Sequence, residues 1–236
     1  MGSESSALWD LPSISPSGGS QLQTIVIRRA MLRGDATSTF CDALVWAASF
    51  QGTQSTLRGI RFESCHVGSD PNTAGDLERV FAAHRQLRVV EITSTPDSEP
   101  LYHSFNILDG LRNCDQLQEL TFSVVQAGSD EQLKLAGIVG QLIDRLRTLQ
   151  VLRLPTLSGE ATNVIWTALS KYHNPLLEVL HLSGVPRGFN LKATVKDRLT
   201  RLRHLDISPS SNLTPEDVEE IRAILRRRSV DAKFIV

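Results

Sequence analysis

The feature that most constrains how this chain can fold is a recurring LxxLxL spacing, clearest in Leu177-Glu178-Val179-Leu180-His181-Leu182-Ser183-Gly184. Its first leucine-type position falls at Leu22, Leu57, Leu87, Leu117, Leu149, Leu177 and Leu202, at steps of 35, 30, 30, 32, 28 and 25 residues. Each copy then places apolar residues at its fourth and sixth positions. These are Ile25 and Ile27, Ile60 and Phe62, Val90 and Ile92, Leu120 and Phe122, Leu152 and Leu154, Leu180 and Leu182, Leu205 and Ile207. A shortened eighth copy, counted from Asp231, puts Phe234 and Val236 there. Alternate side chains of a strand face opposite sides, so the fourth and sixth residues point one way and the third, fifth and seventh the other. One face is core and the other is open.

Between the copies, apolar residues return at helical spacing, as in Leu77, Val80, Phe81 and His84, or Leu133, Ala136, Val139 or Gly140, Leu142, Ile143 and Leu146. Strand, helix, strand at a near-constant period predicts parallel strands with crossover helices. A sheet covered on both faces would read as continuous apolar runs, whereas the outward positions here are largely polar or charged. The expected fold class is α/β, a horseshoe solenoid of about seven to eight repeats with one parallel sheet on the concave face and helices on the convex face. The last helix is marked by Thr214 as N-cap, Pro215 at its first position, Asp217 for a capping box and a Val218, Ile221, Leu225 stripe. It ends in Arg226-Arg227-Arg228, read as a solvated triplet that offsets the negative end of the helix dipole.

Residues 1–20 are rich in Ser, Gly and Pro and are expected to form a flexible tail, with the repeat domain over 21–236. Trp9 and Leu11 are the tail's large apolar anchors, expected to cap the first edge of the sheet or to dock on another protein. Met1-Gly2 followed by Ser6 fits the loose N-myristoylation pattern at Gly2, without the polybasic second signal that firm anchoring needs. The net charge of −1 offers no basic surplus to neutralise phosphates, so nucleic acid is not an expected partner. No run of about 18 apolar residues is present, so no transmembrane segment is expected.

Cys41, Cys65 and Cys114 are odd in number and form no CxxC pair, which argues for buried, reduced thiols in a cytoplasmic or nuclear protein. His66, His84, His103 and His173 lack ligand spacing, and no Gly-rich loop opens a helix, so neither metal nor cofactor is expected.

Partner binding on such a scaffold is expected on the concave sheet. The fifth-position column reads Val26, Arg61, Glu91, Thr121, Arg153, His181 and Asp206, and the seventh begins Arg28, Glu63. Strands lie ~4.8 Å apart, so Arg61 reaches Glu91 in an exposed pair of ~0–1 kcal/mol, more a matter of specificity than of stability. His181 adjoins Asp206, and Ser183 sits two residues along. Residues two apart on a strand project in parallel ~6.6–6.8 Å apart, too far for a serine nucleophile and its base. No Gly-x-Ser-x-Gly elbow is present either.

The copies resemble leucine-rich repeats of the ribonuclease-inhibitor-like type, over about residues 22–236. Two fragments resemble more closely the cysteine-containing repeats of F-box leucine-rich proteins: Leu57 to Cys65, with cysteine ninth, and Cys114-Asp115-Gln116-Leu117-Gln118-Glu119-Leu120. The ninth position is otherwise Ala30, Thr95, Val125, Leu157, Val185 and Ser210, so the family's Asn or Cys ladder is nearly absent, and no F-box signature is present. The resemblance implies a non-enzymatic protein-interaction module, a substrate-receptor or adaptor domain. Its expected contact residues are Arg28, Arg61, Glu63, Glu91, Thr121, Arg153, His181 and Asp206. A structural subunit of a large assembly is the second reading, and a hydrolase using Ser183, His181 and Asp206 a remote third.

Overall fold

A computed structural model describes residues 22–32, 34–49, 56–67, 71–98, 100, 103–124, 128–210 and 212–236. Nine strands alternate with helices: β1 (Thr24–Arg28), β2 (Met31–Leu32), α1 (Gly34–Ser49), β3 (Gly59–Val67), α2 (Pro71–Ala83), β4 (Val89–Ser94) and α3 (Ser104–Asp109). A 3-10 turn over Gly110–Asn113 leads to β5 (Glu119–Ser123), α4 (Ser129–Arg145), β6 (Val151–Arg153), α5 (Gly159–Lys171) and β7 (Val179–His181). The chain continues through α6 (Leu191–Asp197), β8 (His204–Asp206), α7 (Pro215–Arg228) and β9 (Lys233–Ile235). The protein is α/β, with one all-parallel nine-stranded sheet in the order β1-β3-β4-β5-β6-β7-β8-β9, β2 pairing on β3 beside β1.

The unequal steps between copies do not disturb the register of the third to fifth positions, and β3 shifts against β4 only beyond Phe62. Thr24 pairs with Gly59, Gly59 with Val89, and the column continues through Glu119, Val151, Val179 and His204 to Lys233. Differences in length are absorbed by the connections, because the inward face must stay aligned. A carbonyl one residue before each strand locks this alignment. Gln118 O accepts from Gln150 N at 2.7 Å and Val151 N at 3.0 Å, and Gln150 O accepts from Glu178 N at 2.8 Å and Val179 N at 3.0 Å. The preceding turns are also alike: Leu117 N donates to Cys114 O at 3.1 Å, Leu177 N to Asn174 O at 3.3 Å and Leu202 N to Leu199 O at 3.1 Å.

The fourth- and sixth-position residues from Ile60 to Ile207 are all buried, in one cluster with Leu77, Phe81, Val139, Ile165 and Trp166 from the helices. Each fully buried aliphatic or aromatic residue of this kind contributes ~1.5–3 kcal/mol. The helices pack in chain order too, α1 on α2, α2 on α3, α3 on α4 and α4 on α5. Cys41, Cys65 and Cys114 are buried and unpaired. Burial pushes the Cys41 and Cys114 thiols up to about 12. The Cys114 thiol points at the carbonyls of Phe81 and His84, 3.8 and 3.7 Å away, tying its turn to the turn before. Gly184, at φ +63°, ends the clearest LxxLxL copy in a conformation suited to glycine, and its carbonyl accepts the Trp166 Nε1 proton at 2.9 Å.

The periphery departs from the sequence-based expectation. Leu22 is 51% exposed and Ile25 and Ile27 are only half-buried, because β1 has a neighbouring strand on one side alone. Val236, expected in the core, is 41% exposed: β9 ends at Ile235, and its Phe234 pairs with Leu205 without a further strand beyond it. Leu133 is 40% exposed, and Leu135 and Ile138 take the inward places on α4. His84 lies just past the end of α2 and is 3% exposed. The short strand β2 was not anticipated.

The capping box at Thr214 and Asp217 is present, and Ile221 and Leu225 are buried as expected. Arg228 is not part of a solvated triplet. Its guanidinium donates to Leu199 O at 2.7 Å and Val195 O at 2.8 Å, capping the carboxyl end of α6. Among the described residues no helix is long and apolar enough to cross a membrane. Gly2, Trp9, Leu11 and the rest of the expected tail lie outside the described residues.

Candidate functional site on the open sheet face

The parallel register delivers the fifth-position residues as one row. Val26 pairs with Arg61, Arg61 with Glu91, Glu91 with Thr121, Thr121 with Arg153, Arg153 with His181, and His181 with Asp206. From Arg61 onward each is half-buried, its backbone held in the sheet and its side chain on the face opposite the core. Arg28 pairs with Glu63 in the seventh-position row beside it.

Three local groupings stand on this face. At its first edge, Arg28 Nε donates to Glu63 Oε2 at 2.5 Å. That hydrogen bond, more than the charge itself, holds the Glu63 carboxyl below its ordinary range and raises Arg28. Next, Arg61 Nη1 donates to Glu91 Oε2 at 2.7 Å, and its Nη2 lies 3.6 Å from Glu119 Oε2 on β5. Glu119 belongs to the third-position row and was not singled out from the sequence. Arg61 reaches it across β4, a distance that the pairing of adjacent strands does not encode.

The third grouping lies at the far end. His181 Nδ1 stands 3.4 Å from Asp206 Oδ2, the pairing that the spacing predicted. Asp206 Oδ1 is taken by Ser208, whose hydroxyl donates at 2.8 Å and whose N–H donates at 3.1 Å. Burial pushes the Asp206 carboxyl up, but these two bonds, with His181 and His204 adding to them, outweigh it and leave the group below its ordinary value. Ser208 was missed as a partner, although Asp-x-Ser is a spacing at which a side chain bonds its own backbone two residues on. His204, in the third-position row, is pushed below the usual imidazole value by burial and then by Lys233.

Ser183 does not belong to the open face. β7 ends at His181, and the chain turns inward so that Ser183 is 8% exposed. Its hydroxyl accepts from Leu157 N at 3.1 Å, closing the loop between β6 and α5. The expectation that Ser183 shares a contact face with His181 is therefore wrong, because strands β6 to β8 are three residues long and stop before the seventh position. Two open clefts at the carboxyl ends of the strands, about 470 and 560 Å³, include Ser123, Pro155 and Thr156 in one and Thr156, Ser183 and Pro209 in the other. Neither contains His181 or Asp206. Among the described residues, no group of three or more His, Cys, Asp or Glu is placed to hold a metal ion.

The arrangement is thus a charged surface on which Arg28 and Arg61 face Glu63, Glu91 and Glu119, and His181 faces Asp206. Compared with known proteins, the chain matches no family model and no curated relative.

Proposed function

We propose that the chain is a leucine-rich-repeat solenoid of the ribonuclease-inhibitor-like type that acts as a non-enzymatic protein-interaction module, a substrate receptor or adaptor in the cytoplasm or nucleus. It holds a protein partner on the open sheet face. The observation that carries this reading is the unshifted row of Arg61, Glu91, Thr121, Arg153, His181 and Asp206 on six successive strands. Six strands at the usual spacing span ~24 Å, the reach of an extended peptide or a short helix. The chain-order parallel sheet and the repeated turns before it support the repeat assignment. The inward turn of Ser183 favours a binding surface over hydrolysis, and three buried free cysteines suit a reducing compartment.

The test reverses charge on the row. Wild-type protein and the Arg61→Glu, Arg153→Glu double variant are used as baits in lysate of the source cell, with quantitative mass spectrometry of what each retains. Stoichiometric partners of the wild type are expected to be lost from the variant. An unchanged set of captured proteins, with the variant's unfolding midpoint also unchanged, would show that binding occurs elsewhere.

A further inference from the structure

The cations of the open face are not equally satisfied. Arg28 lies against Glu63, and Arg61 against Glu91 and Glu119. Arg153, half-buried on β6, has no ion pair among the described residues; its Nη1 instead reaches Thr121 Oγ1 at 3.4 Å. The acids nearest in its row are already engaged, Glu91 by Arg61 and Asp206 by Ser208 and His181. Glu119, diagonal to Arg153 on the adjacent strand β5, lies 3.6 Å from Arg61 instead.

Apolar surface adjoins this guanidinium. Val151 and Val179 pair directly across β6 and β7 in the third-position row, and both are half-buried. They precede Arg153 and His181 by two residues on the same face, ~6.6–6.8 Å along the strand. A partner seated on the valines would strip water from Arg153, and a charge buried without a counter-charge is strongly unfavourable. The partner must then supply the anion. A carboxylate matches the planar fork of the guanidinium in two parallel hydrogen bonds. A single negative charge also suits a site flanked by Glu91, Glu119 and Asp206 better than a phosphate dianion.

Resting on the protein-binding reading above, we infer that this part of the face receives an acidic peptide segment, one Asp or Glu carboxylate clamped by Arg153 and an adjoining aliphatic side chain laid on Val151 and Val179. Lys233, exposed in the third-position row of β9, adds positive potential on the same side.

The full chain is panned against a phage library of random dodecapeptides, and enriched sequences are measured as soluble peptides by fluorescence anisotropy. Enriched peptides are expected to share an Asp or Glu beside Val, Leu or Ile. Arg153→Gln is expected to weaken them about tenfold or more, the effect of losing a charge-assisted pair. Replacing the peptide's Asp by Asn, or its Glu by Gln, is expected to cost the same, and the two changes together no more. Arg153→Lys, which keeps the charge but not the fork, is expected to lose less. Peptides abolished by Val179→Lys yet indifferent both to Arg153→Gln and to their own acidic residue overturn the acidic clamp and leave the sheet-face reading standing. Peptides indifferent to every one of these changes, or a library that yields none, overturn both. Where Arg153→Gln lowers the unfolding midpoint, the peptide-side substitution and Arg153→Lys decide the outcome.

Discussion

Arg228→Met removes the group that joins the last helix to the one before it. The Arg228 guanidinium reaches Leu199 O at 2.7 Å and Val195 O at 2.8 Å, with longer contacts of 3.4 Å to the Leu202 and Lys196 carbonyls. A hydrogen bond from a charged donor contributes ~1.5–3 kcal/mol, so the two short ones set an upper range of ~3–6 kcal/mol. Methionine keeps the packing of the stem, and carbonyls near the surface regain water, which brings the expected loss to about 2 kcal/mol. That is about a 30-fold fall in the folding equilibrium constant. Arg226 and Arg227 are exposed on the same turn and act on the dipole alone, ~0.3–1 kcal/mol each. Urea denaturation followed by circular dichroism, comparing Arg226→Met, Arg227→Met and Arg228→Met, separates the two roles. A solvated triplet would make the three variants alike. If Arg228→Met costs no more than Arg227→Met, the carbonyl clamp is wrong and the dipole accounts for all three.

His84 is 3% exposed and burial holds its pKa below the ordinary imidazole value, against the raising effect of a hydrogen bond with the Leu44 backbone. The unfolded chain therefore takes up the proton first as pH falls. The contribution is fully present above the ordinary imidazole pKa of ~6.5 and is lost below it, as pH falls toward the lower folded value, at up to ~1.4 kcal/mol per pH unit. Urea midpoints across this range are expected to flatten in His84→Gln, and an unchanged slope would refute the assignment. Gly110 is a packing glycine: a Cβ there would lie 2.4 Å from the Glu78 carbonyl oxygen, and α2 backbone must shift to admit it. Gly110→Ala is expected to cost ~1–3 kcal/mol. Gly137, where an added Cβ meets nothing within 4 Å, is its control, and Gly137→Ala is expected to stabilise α4 by ~0.4–1 kcal/mol in the same urea assay.

The inward rows were readable because a strand has a period of two and every copy obeys it; Leu180 and Leu182, or Phe62 and Ile60, could go nowhere else. The neighbours of the fifth-position row followed from the same register, so the Arg61–Glu91 and His181–Asp206 contacts were legible before any coordinates. The edges were not. Leu22 and Val236 satisfy the pattern but lack the second neighbour that burial requires, and a local pattern carries no information about where a sheet stops.

The sequence alone determined that this chain alternates strands and helices, that one face of its strands is core, and which residues share the third- and fifth-position rows. Those outcomes depend on periodicity, which is local and repeated. Tertiary structure decided what each row residue does there. Strand length turned Ser183 inward onto Leu157, and the approach of α7 to α6 made Arg228 a cap. The reach of Arg61 across β4 drew in Glu119, while Arg153 was left with a hydroxyl in place of a carboxylate. Each of these depends on distances between segments more than 25 residues apart, which are set only when the whole core has packed.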